Sequence, residues 1–487
     1  MPNTTPLHLD LQATAKRIMQ QRGFEPDFST EVTAQLASLK GQTPIVPTDG
    51  LRDMRNLLWS SIDNDTSRDL DQIEVAERSS NGDVRVMIGI ADVDGLVSKL
   101  TPIDQHAARE TTTVYTGIRN FPMLPEELST GITSLLENED RLSLILEFIV
   151  DSEGNLKTSD VYRALVRNQA QLQYNSVGAW LEAHAAAPQK IRESEELQGQ
   201  LKLQDDVARK LKNQRLQHGA LNLQTDETRP LVLNDKVVDL VKQQRNRATD
   251  LIEDFMLAAN GVVARFLQDV SSLRRIVRTP RRWDRIVELA ATKNEKLPAQ
   301  PDSKALNDFL LRQKAADSDH FADLSLAVIK LIGPGEYVLE RAGEVSPGHF
   351  GLAVQDYTHS TAPNRRFADI VTQRLIKAKL ARQPNPYSDD ELTAIAANCT
   401  QKEDAARKVE REMSKCLAAV AMQSRIGEVF DAIVTGVTDH GTFVRVLKPP
   451  LEGLLAQGAH GLDVGDKLRA KLIRTDASKG YIDFARA

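Results

Sequence analysis

A run of aspartates directly before an alternating apolar pattern constrains this chain more than any other feature. Four carboxylates fall within nine positions, at Asp63, Asp65, Asp69 and Asp71. Like charges at this density repel each other unless a cation neutralises them, and hard oxygen ligands suit Mg²⁺ or Mn²⁺, which also bind phosphate oxygens. The run therefore predicts a loop that holds divalent ions. Two ions about 4 Å apart would serve phosphoryl transfer or hydrolysis.

The residues after this run predict a β-hairpin. Apolar residues alternate on both sides of Asn81-Gly82, at Ile73 and Val75 and then at Val84, Val86, Ile88 and Ile90. A further strand is predicted at 142–150, and helical periodicity follows at 194–217, 250–268 and 400–422. The predicted fold class is α+β with several domains.

Changes in pattern divide the 487 residues into four segments. Residues 1–48 predict a small helical N-terminal domain, for which a helix-turn-helix is one candidate type, and 49–57 predict a linker. Residues 58–425 predict a central mixed α/β domain. Residues 426–487 return to short strands, with a gap through Pro449 and Pro450, and five short strands in about 60 residues predict an OB-type β-barrel.

Composition and charge exclude several classes of protein. Hydrophobic residues make up 41% and charged residues 27%, as in ordinary globular proteins. No apolar run approaches the roughly 18 residues of a membrane span, and the N-terminus does not resemble a secretory signal, so we expect a cytoplasmic protein without membrane contact. The net charge of −6 argues against indiscriminate coating of nucleic acid but allows a local basic groove. Without a Walker-type loop, we expect no nucleoside-triphosphate cofactor.

Two other interpretations of the aspartate run stay open at this point. One is a solvated acidic turn. The other is a calcium loop, because residues 63, 65, 67, 69, 71 and 74 match positions 1, 3, 5, 7, 9 and 12 of the EF-hand spacing. Against calcium, Arg68 stands where that loop needs glycine, and the exit segment alternates like a strand where a helix is required.

Residues 361–369 predict the start of a helix that carries two arginines. Pro363 can occupy the first turn of a helix whose buried stripe begins at Phe367, which puts Arg365 and Arg366 at the helix N-terminus. The helix dipole disfavours cations there. Either a bound phosphate or an ion pair with Asp369 must therefore explain the arginines, and the residues alone favour neither explanation.

In combination, several segments between residues 58 and 425 resemble the ribonuclease II (RNB) family of 3′→5′ exoribonucleases. The resemblance rests on Ser61-Ile62-Asp63 with Asp69 and Asp71, on Ile90-Ala91-Asp92-Val93, on Pro122-Met123-Leu124-Pro125, and on the segments 253–260, 349–352 and 361–369. It implies that 58–425 is an RNB catalytic domain. It also implies that 426–487 corresponds to the family's C-terminal OB-fold RNA-binding domain.

The resemblance implies catalytic roles for five residues. Asp63, Asp69 and Asp71 fall on carboxylates that hold Mg²⁺ at the scissile phosphate. Arg365 falls on an arginine that neutralises charge in the transition state. Glu410, which taken singly reads as a surface residue, falls on an acidic residue near the cleaved nucleotide.

The resemblance also implies contacts with RNA. Tyr115, which taken singly reads as a core aromatic, falls on a residue that stacks the 3′-terminal base, and Tyr174 falls on a tyrosine that lines the RNA path. Arg366 is expected to contact RNA. In the barrel, His440 and Phe443, together with Phe430, are candidate stacking residues, with core packing as the alternative.

The chain departs from the family pattern at three places. Gln72 follows Asp71 where the family has a second adjacent aspartate. Its amide oxygen is expected to bind the metal but brings no negative charge, and Asp65 or Asp92 is hypothesised to supply that charge. Leu223 stands where some members have a phenylalanine that sandwiches the terminal bases, which predicts a weaker grip and a longer end product. The helical N-terminal segment stands in place of two cold-shock domains.

These observations predict a Mg²⁺-dependent hydrolytic 3′→5′ exoribonuclease, with one or two ions and Mn²⁺ as the alternative metal. It is expected to degrade single-stranded RNA processively to nucleoside 5′-monophosphates and a short end product, and to act as a monomer. The main rival is a catalytically weak or silent RNA-binding or regulatory protein that keeps the channel, since Gln72 removes a charge from the metal site. A calcium-binding structural protein is the third hypothesis.

Overall fold

The structure, a computed structural model, describes residues 10–40, 50–224, 227–233, 236–243, 245–318 and 320–487. Within these ranges, the side chains of 227–233, 236–243 and Pro450 are not described. Residues 1–9 and 41–49 hold parts of the predicted N-terminal domain and the first residue of the predicted linker, and they lie outside the described residues.

A seven-stranded sheet forms the centre of the molecule. Its strands are β1 (Leu51–Asp53), β2 (Ser60–Asp63), β3 (Gln72–Arg78), β4 (Val84–Ala91), β7 (Asp140–Val150), β8 (Leu156–Arg167) and β9 (Ala170–Gln173), and the short pair β5 (Val114–Tyr115) and β6 (Asn120–Phe121) lies apart from them. The order across the sheet is β1-β8-β7-β4-β3-β2-β9. The outer pairs β1–β8 and β2–β9 are parallel and the other pairs are antiparallel.

The predicted hairpin is confirmed as β3 and β4. Val75 pairs with Met87 across the two strands, and Gly82 takes a φ of +88° in the turn, which a residue without Cβ adopts readily. Residues 73–76 of β3 are buried on both faces of the sheet. The loop that holds the aspartates is therefore fixed at both ends, by β2 before it and β3 after it.

Helices cover the sheet and extend the molecule. They are α1 (Leu11–Gln21), α2 (Thr30–Leu39), α3 (Pro102–Glu110), α4 (Tyr174–Leu181), α5 (Gln189–Arg192), α6 (Glu195–Gln217), α7 (Arg247–Phe266), α8 (Trp283–Ala291), α9 (Ser303–Ala316), α10 (Phe321–Ile332), α11 (Phe367–Leu380) and α12 (Asp389–Met422). Two further strand pairs are β10 (Glu227–Leu233) with β11 (Lys236–Gln243) and β12 (Ser272–Ile276) with β13 (Glu336–Glu340). Helix α6 packs on β3 and helix α7 on β7. The three predicted helices are confirmed, although the helix predicted at 400–422 is the second part of the longer α12.

The two N-terminal helices pack onto the central unit. Ala15 and Ile18 of α1 share a buried cluster with Val409 and Met413 of α12. Helix α2 packs on α3, and Val32 belongs to the main core. The predicted helices are confirmed, and the helix-turn-helix type stays a prediction.

The C-terminal segment is a closed five-stranded barrel, as predicted. Its strands are β14 (Val429–Thr438), β15 (Gly441–Leu447), β16 (Pro450–Gln457), β17 (Lys467–Asp476) and β18 (Tyr481–Arg486), in the order β14-β15-β16-β18-β17. The sequence predicted a gap at Pro449 and Pro450, whereas the chain resumes a strand at Pro450. The end of α12 closes the barrel core, since Ala419 and Met422 belong to the same cluster as Phe484.

No helix in the described ranges has the length and apolarity that crossing a bilayer requires.

Candidate active site

Asp63 stands at the end of β2, where the aspartate loop begins. Its Oδ1 accepts hydrogen bonds from the Asn64 backbone N–H at 2.7 Å and from the Ser67 hydroxyl at 2.9 Å. Burial raises the pKa of the Asp63 carboxyl, and the negative charge of Asp69 raises it further, against the lowering effect of these hydrogen bonds and of Arg365. The loop thus curls back on Asp63 and holds its carboxylate beside a second acid.

Asp71 is the most deeply buried of the three expected catalytic aspartates. Its Oδ1 accepts a hydrogen bond from the Asn364 backbone N–H at 2.8 Å, and its buried Oδ2 has no hydrogen-bond partner in the described part of the chain. Arg365 Nε lies 3.4 Å from that second oxygen. Burial raises the Asp71 pKa to about 7, although the Arg365 charge opposes the rise. The orphaned oxygen marks a place where a cation would be stabilised.

The two adjacent arginines before α11 have different environments. Arg366 donates from Nε and Nη2 to the two oxygens of the fully buried Asp369, at 2.9 and 2.8 Å. Arg365 keeps half of its side chain exposed, at 50%. The ion pair with Asp369 therefore explains Arg366, and its expected RNA contact is not favoured because the guanidinium already has this partner. The arginine that faces the site is Arg365.

The prediction that Pro363 occupies the first helical turn is wrong. Helix α11 begins at Phe367 with Arg366 as its N-cap, so Pro363 lies in the preceding turn. That turn is fixed by backbone hydrogen bonds, from Thr113 N–H to Arg365 C=O at 3.0 Å and from Phe367 N–H to Thr111 C=O at 2.8 Å. The segment at 111–113 thus sets the direction of Arg365.

Tyr115 connects the other expected catalytic acids. Its hydroxyl donates to Asp69 Oδ2 at 3.3 Å, and its backbone N–H donates to Glu410 Oε1 at 3.0 Å. The residue is 39% exposed, so the interpretation of Tyr115 as a core aromatic is wrong. Burial raises the Glu410 pKa, against the lowering effect of this hydrogen bond. The structure therefore places Asp69, Tyr115 and Glu410 in one connected group.

A cavity of about 200 Å³ lies between these elements. The ends of β2 and β3, one side of α7 and the loop before α11 form its walls, and Asp63, Asp71, Gln72, Glu74, Tyr174 and Arg365 are among the lining residues. Tyr174, at the start of α4, is half-buried and shares the cavity with Asp63, and its place on an RNA path stays a prediction. Asp69 and Tyr115 lie outside this lining.

Besides Asp71, two cavity residues have a buried side-chain oxygen that accepts no hydrogen bond from the described residues, and sequence reasoning assigned neither to the site. Glu74 was considered only as the last position of a calcium loop, but it is fully buried, lines the cavity and has its Oε2 in this state. Burial raises its pKa to about 8. The Thr361 hydroxyl is likewise buried without a partner in the wall. The alternation of Ile73 and Val75 places Glu74 on the predicted polar face of the strand, so no local signal indicated its burial.

Gln72 lies beside Glu74 on β3. Its Nε2 donates to Glu74 Oε1 at 2.8 Å, which leaves the amide oxygen of Gln72 free of that contact. Asp92, one of the two residues hypothesised to compensate for Gln72, pairs with Lys377 and with Arg163, the latter at 3.3 Å. Asp65, the other, is exposed in a turn. Neither lines the cavity, so the structure favours neither hypothesis.

The donor set fits a hard divalent cation. Mg²⁺ usually binds through one or two carboxylates and keeps waters or substrate phosphates as its other ligands. Asp71 Oδ2 and Glu74 Oε2 are buried, lack hydrogen-bond partners and belong to side chains that line the cavity. Over the part of the chain that the structure describes, no three Asp, Glu, His or Cys side chains converge as a complete protein cage. The cavity residues therefore fit a Mg²⁺ or Mn²⁺ ion whose remaining ligands are water and substrate phosphate oxygens.

The EF-hand interpretation is wrong. Residues 72–78 after the aspartate run form strand β3, whereas an EF-hand requires a helix there.

The remaining expected RNA contacts lie away from the cavity. Leu223 packs against the cluster formed by α8, α9 and α10, so it is not part of the cavity wall. In the barrel, Phe430 is buried and meets Phe484 edge to face, which makes it a core residue. Phe443 alternates with buried Thr442 and Val444, so it lies on the outer face of β15. His440 is exposed in the turn before β15.

Comparison with known proteins agrees with this architecture. The family model of the RNB domain matches residues 51–382, and that of the RNase II-type exonuclease C-terminal S1 domain matches residues 428–487. Ribonuclease R of Thermotoga maritima is 28% identical over 498 residues, which cover 94% of this chain and 68% of that protein. Ribonuclease R of Escherichia coli is 30% identical over 445 residues, which cover 87% of this chain and 53% of that protein.

A solved structure has the same fold. Mycoplasma genitalium RNase R in complex with double-stranded RNA superposes with a TM-score of 0.87 at 23% identity, over 98% of this chain and 83% of that one. The chain thus spans from about half to two thirds of the length of these curated relatives.

Proposed function

The chain belongs to the RNB family, and on that premise we propose that it is a divalent-metal-dependent 3′→5′ exoribonuclease. The proposed substrate is single-stranded RNA, and the proposed products are nucleoside 5′-monophosphates and a short end fragment. The relatives named Ribonuclease R support the activity. Processive action, a monomeric state, a cytoplasmic location and independence of nucleoside triphosphates are part of the same proposal.

The contact between Arg365 and Asp71 is the observation that carries the proposal. A buried carboxylate oxygen, which accepts no hydrogen bond from the described residues, lies 3.4 Å from a half-exposed guanidinium, and both side chains line one cavity. Such a pair offers a cation site and an anion site side by side. A phosphodiester needs both, because its non-bridging oxygens carry the charge that increases in the transition state.

The residues divide the work of hydrolysis between them. When bound, Mg²⁺ would supply Lewis-acid stabilisation of charge on the attacking and leaving oxygens. Asp63 and Asp71, which both line the cavity, would hold it, and Asp69 would add negative charge from the same loop. Arg365 supplies hydrogen-bond donors to the phosphate oxygens, in a position that the backbone contacts at 111–113 have already fixed.

The aromatic residues would position the end of the RNA. The exposed ring of Tyr115 is held by its hydroxyl contact with Asp69 and its backbone contact with Glu410, so a base stacked on it would lie beside the acids. Tyr174, which lines the cavity, would contact the RNA beside Asp63. The domain boundaries 1–48, 49–57, 58–425 and 426–487 belong to the proposal, with 58–425 as catalytic and 426–487 as RNA-binding domain.

A ladder assay tests this function. The purified chain is incubated with a 5′-labelled single-stranded RNA in Mg²⁺, in Ca²⁺ or in chelator. We expect successively shorter labelled products and released 5′-monophosphates in Mg²⁺, and neither in Ca²⁺ nor in chelator. A 3′-labelled RNA that loses its label first gives the direction. An uncut RNA in all three conditions would contradict the proposal.

The second candidate is a catalytically silent RNA-binding protein. Gln72 is the observation that favours it, because an amide brings no charge to a metal site. The same assay separates the two functions, since a silent protein retards the RNA on a native gel without shortening it.

A further inference from the structure

We propose that Glu74 is a metal ligand of this site and supplies the negative charge that Gln72 does not. The inference rests on the proposed function and concerns the second residue of β3 beyond Gln72. Its Oε2 is buried, has no hydrogen-bond partner among the residues that the structure describes, and belongs to a side chain that lines the same cavity as Asp63 and Asp71.

The burial of Glu74 is not compensated by the protein. The residue has no accessible surface and accepts one hydrogen bond, from Gln72 Nε2 at 2.8 Å. Within the described residues it has no ion pair, in contrast to buried Asp369, which pairs with Arg366. Buried carboxylates are normally paired, hydrogen-bonded at both oxygens or bound to metal. A cation in the adjacent cavity supplies the missing partner.

The position of Glu74 on β3 also supports its role as a metal ligand. Side chains two residues apart on a strand project from the same face, so Gln72 and Glu74 both face the cavity while Ile73 faces away. The amide nitrogen of Gln72 donates to Glu74, and the amide oxygen takes no part in that contact. Gln72 and Glu74 thus offer an amide oxygen and a carboxylate as ligands. Two acids at these positions would repel each other.

The surroundings of Glu74 suit a ligand better than those of the alternatives. Asp92 is neutralised by Lys377 and Arg163, and Asp65 projects from an exposed turn. Glu74 lies on a strand with partners on both sides, opposite Ser60 on β2 and Ile88 on β4. A ligand on a paired strand is preorganised, whereas a loop residue must be ordered when the ion binds.

Metal binding measured directly tests the inference. Manganese is titrated into the purified chain and its free concentration followed by electron paramagnetic resonance, for wild type, Glu74→Gln and Glu77→Gln. Loss of even an outer residue of a metal site costs roughly 10- to 100-fold in affinity, so Glu74→Gln should weaken Mn²⁺ binding at least about tenfold. Glu77→Gln is the matched control, because Glu77 lies on the opposite face of β3 and pairs with Arg85. It should bind Mn²⁺ as wild type does.

A thermal measurement separates lost binding from misfolding. Without metal, Glu74→Gln should melt at or above the wild-type temperature, because the amide has nearly the shape of the carboxyl and brings no charge that burial would penalise. With Mn²⁺, wild type should gain more in Tm than the variant. Adding Gln72→Asp to Glu74→Gln should recover part of the lost affinity, since it returns a carboxylate to the same face.

The outcomes distinguish this inference from the proposed function. Wild-type Mn²⁺ affinity in Glu74→Gln, together with RNA cleavage by wild type, would overturn the inference and leave the nuclease intact. Glu74-dependent Mn²⁺ binding in a chain that does not cut RNA would support the inference and refute the function. A wild-type chain that binds no Mn²⁺, alone or with RNA, would overturn the inference.

Discussion

Arg365 Nε lies 3.4 Å from Asp71 Oδ2, and this contact joins the loop before α11 to the start of β3. In the arrangement seen here, the arginine partly neutralises the carboxylate. A cation bound to Asp71 would take over that role and leave the guanidinium to bind the phosphate. The two residues should therefore affect different steps when each is replaced.

Replacing Asp71 should stop cleavage but not RNA binding. Asp71→Asn keeps an oxygen for the hydrogen bond from Asn364 N–H and removes the charge, so the fold should persist while the metal is lost. We expect no ladder from a labelled RNA and a dissociation constant for RNA within a few fold of wild type. Asp65→Asn, in the exposed turn of the same loop, serves as the control and should cleave normally. Near-normal turnover by Asp71→Asn would refute the assignment.

Replacing Arg365 should slow the chemical step. Loss of one preorganised donor at a developing oxyanion typically costs on the order of 10²- to 10³-fold in rate. We expect Arg365→Gln to lower the single-turnover rate constant of cleavage by about that factor. Its affinity for Mn²⁺ should be unchanged or higher, because the competing guanidinium charge is gone. A rate within about threefold of wild type would show that Arg365 does not face the reacting phosphate.

Replacing the neighbouring arginine should affect stability. Arg366→Gln breaks an ion pair with a fully buried aspartate, and removing one partner of such a pair costs roughly 3 to 5 kcal/mol. Urea unfolding should therefore show a lower midpoint for Arg366→Gln and a nearly unchanged midpoint for Arg365→Gln. The reverse order would contradict the different environments of the two arginines.

Two phenylalanines of the barrel should behave differently. Phe443 lies on the outer face of β15, so Phe443→Ala should weaken RNA binding by about 1 to 3 kcal/mol per stacked base with little change in Tm. Phe430 is a core residue, so Phe430→Ala should destabilise the protein by about 3 to 5 kcal/mol. Fluorescence anisotropy with a labelled RNA and thermal unfolding measure the two effects. Unchanged RNA affinity in Phe443→Ala would remove it from the RNA path.

Buried His106 should make the protein less stable in acid. Its ring contacts Phe28, with the ring centroids 4.7 Å apart, and burial together with the Arg109 and Lys402 charges lowers its pKa to about 4, although Glu25 opposes this. The unfolded chain binds a proton near the ordinary value of about 6.5, so stability is lost as pH falls from there towards 4. His106→Gln should reduce the slope of Tm against pH over this range. An unchanged slope would mean that other groups cause the acid sensitivity.

Local patterns predicted the elements of the fold but not the contacts between them. The β3–β4 hairpin follows from alternation around Asn81-Gly82, and the long helices follow from periodicity. The strand at Pro450–Gln457 was missed because two prolines interrupt the pattern, although a proline at the first position of a strand needs no ladder donor. A local sequence pattern does not show whether a proline begins a strand or interrupts one.

The aspartate run alone predicted a metal-binding loop, but its association with distant residues could be predicted only through the family resemblance. Nothing local connects Tyr115 to Asp69 or Arg365 to Asp71, because each contact joins distant segments. Glu74 was missed for a related reason. The resemblance directs attention to positions at which the family is constant, whereas Glu74 becomes conspicuous only when its burial and its unpartnered oxygen are known.

Helix α12 extends through 34 residues, or about 51 Å at the usual rise per residue. It supports α1 with Val409, presents Glu410 to Tyr115, and ends inside the barrel core with Ala419 and Met422. A truncated protein that stops at residue 425 would leave this apolar end in water and invite aggregation. The catalytic unit and the barrel should therefore melt together in a single calorimetric peak, and they are best produced as one polypeptide.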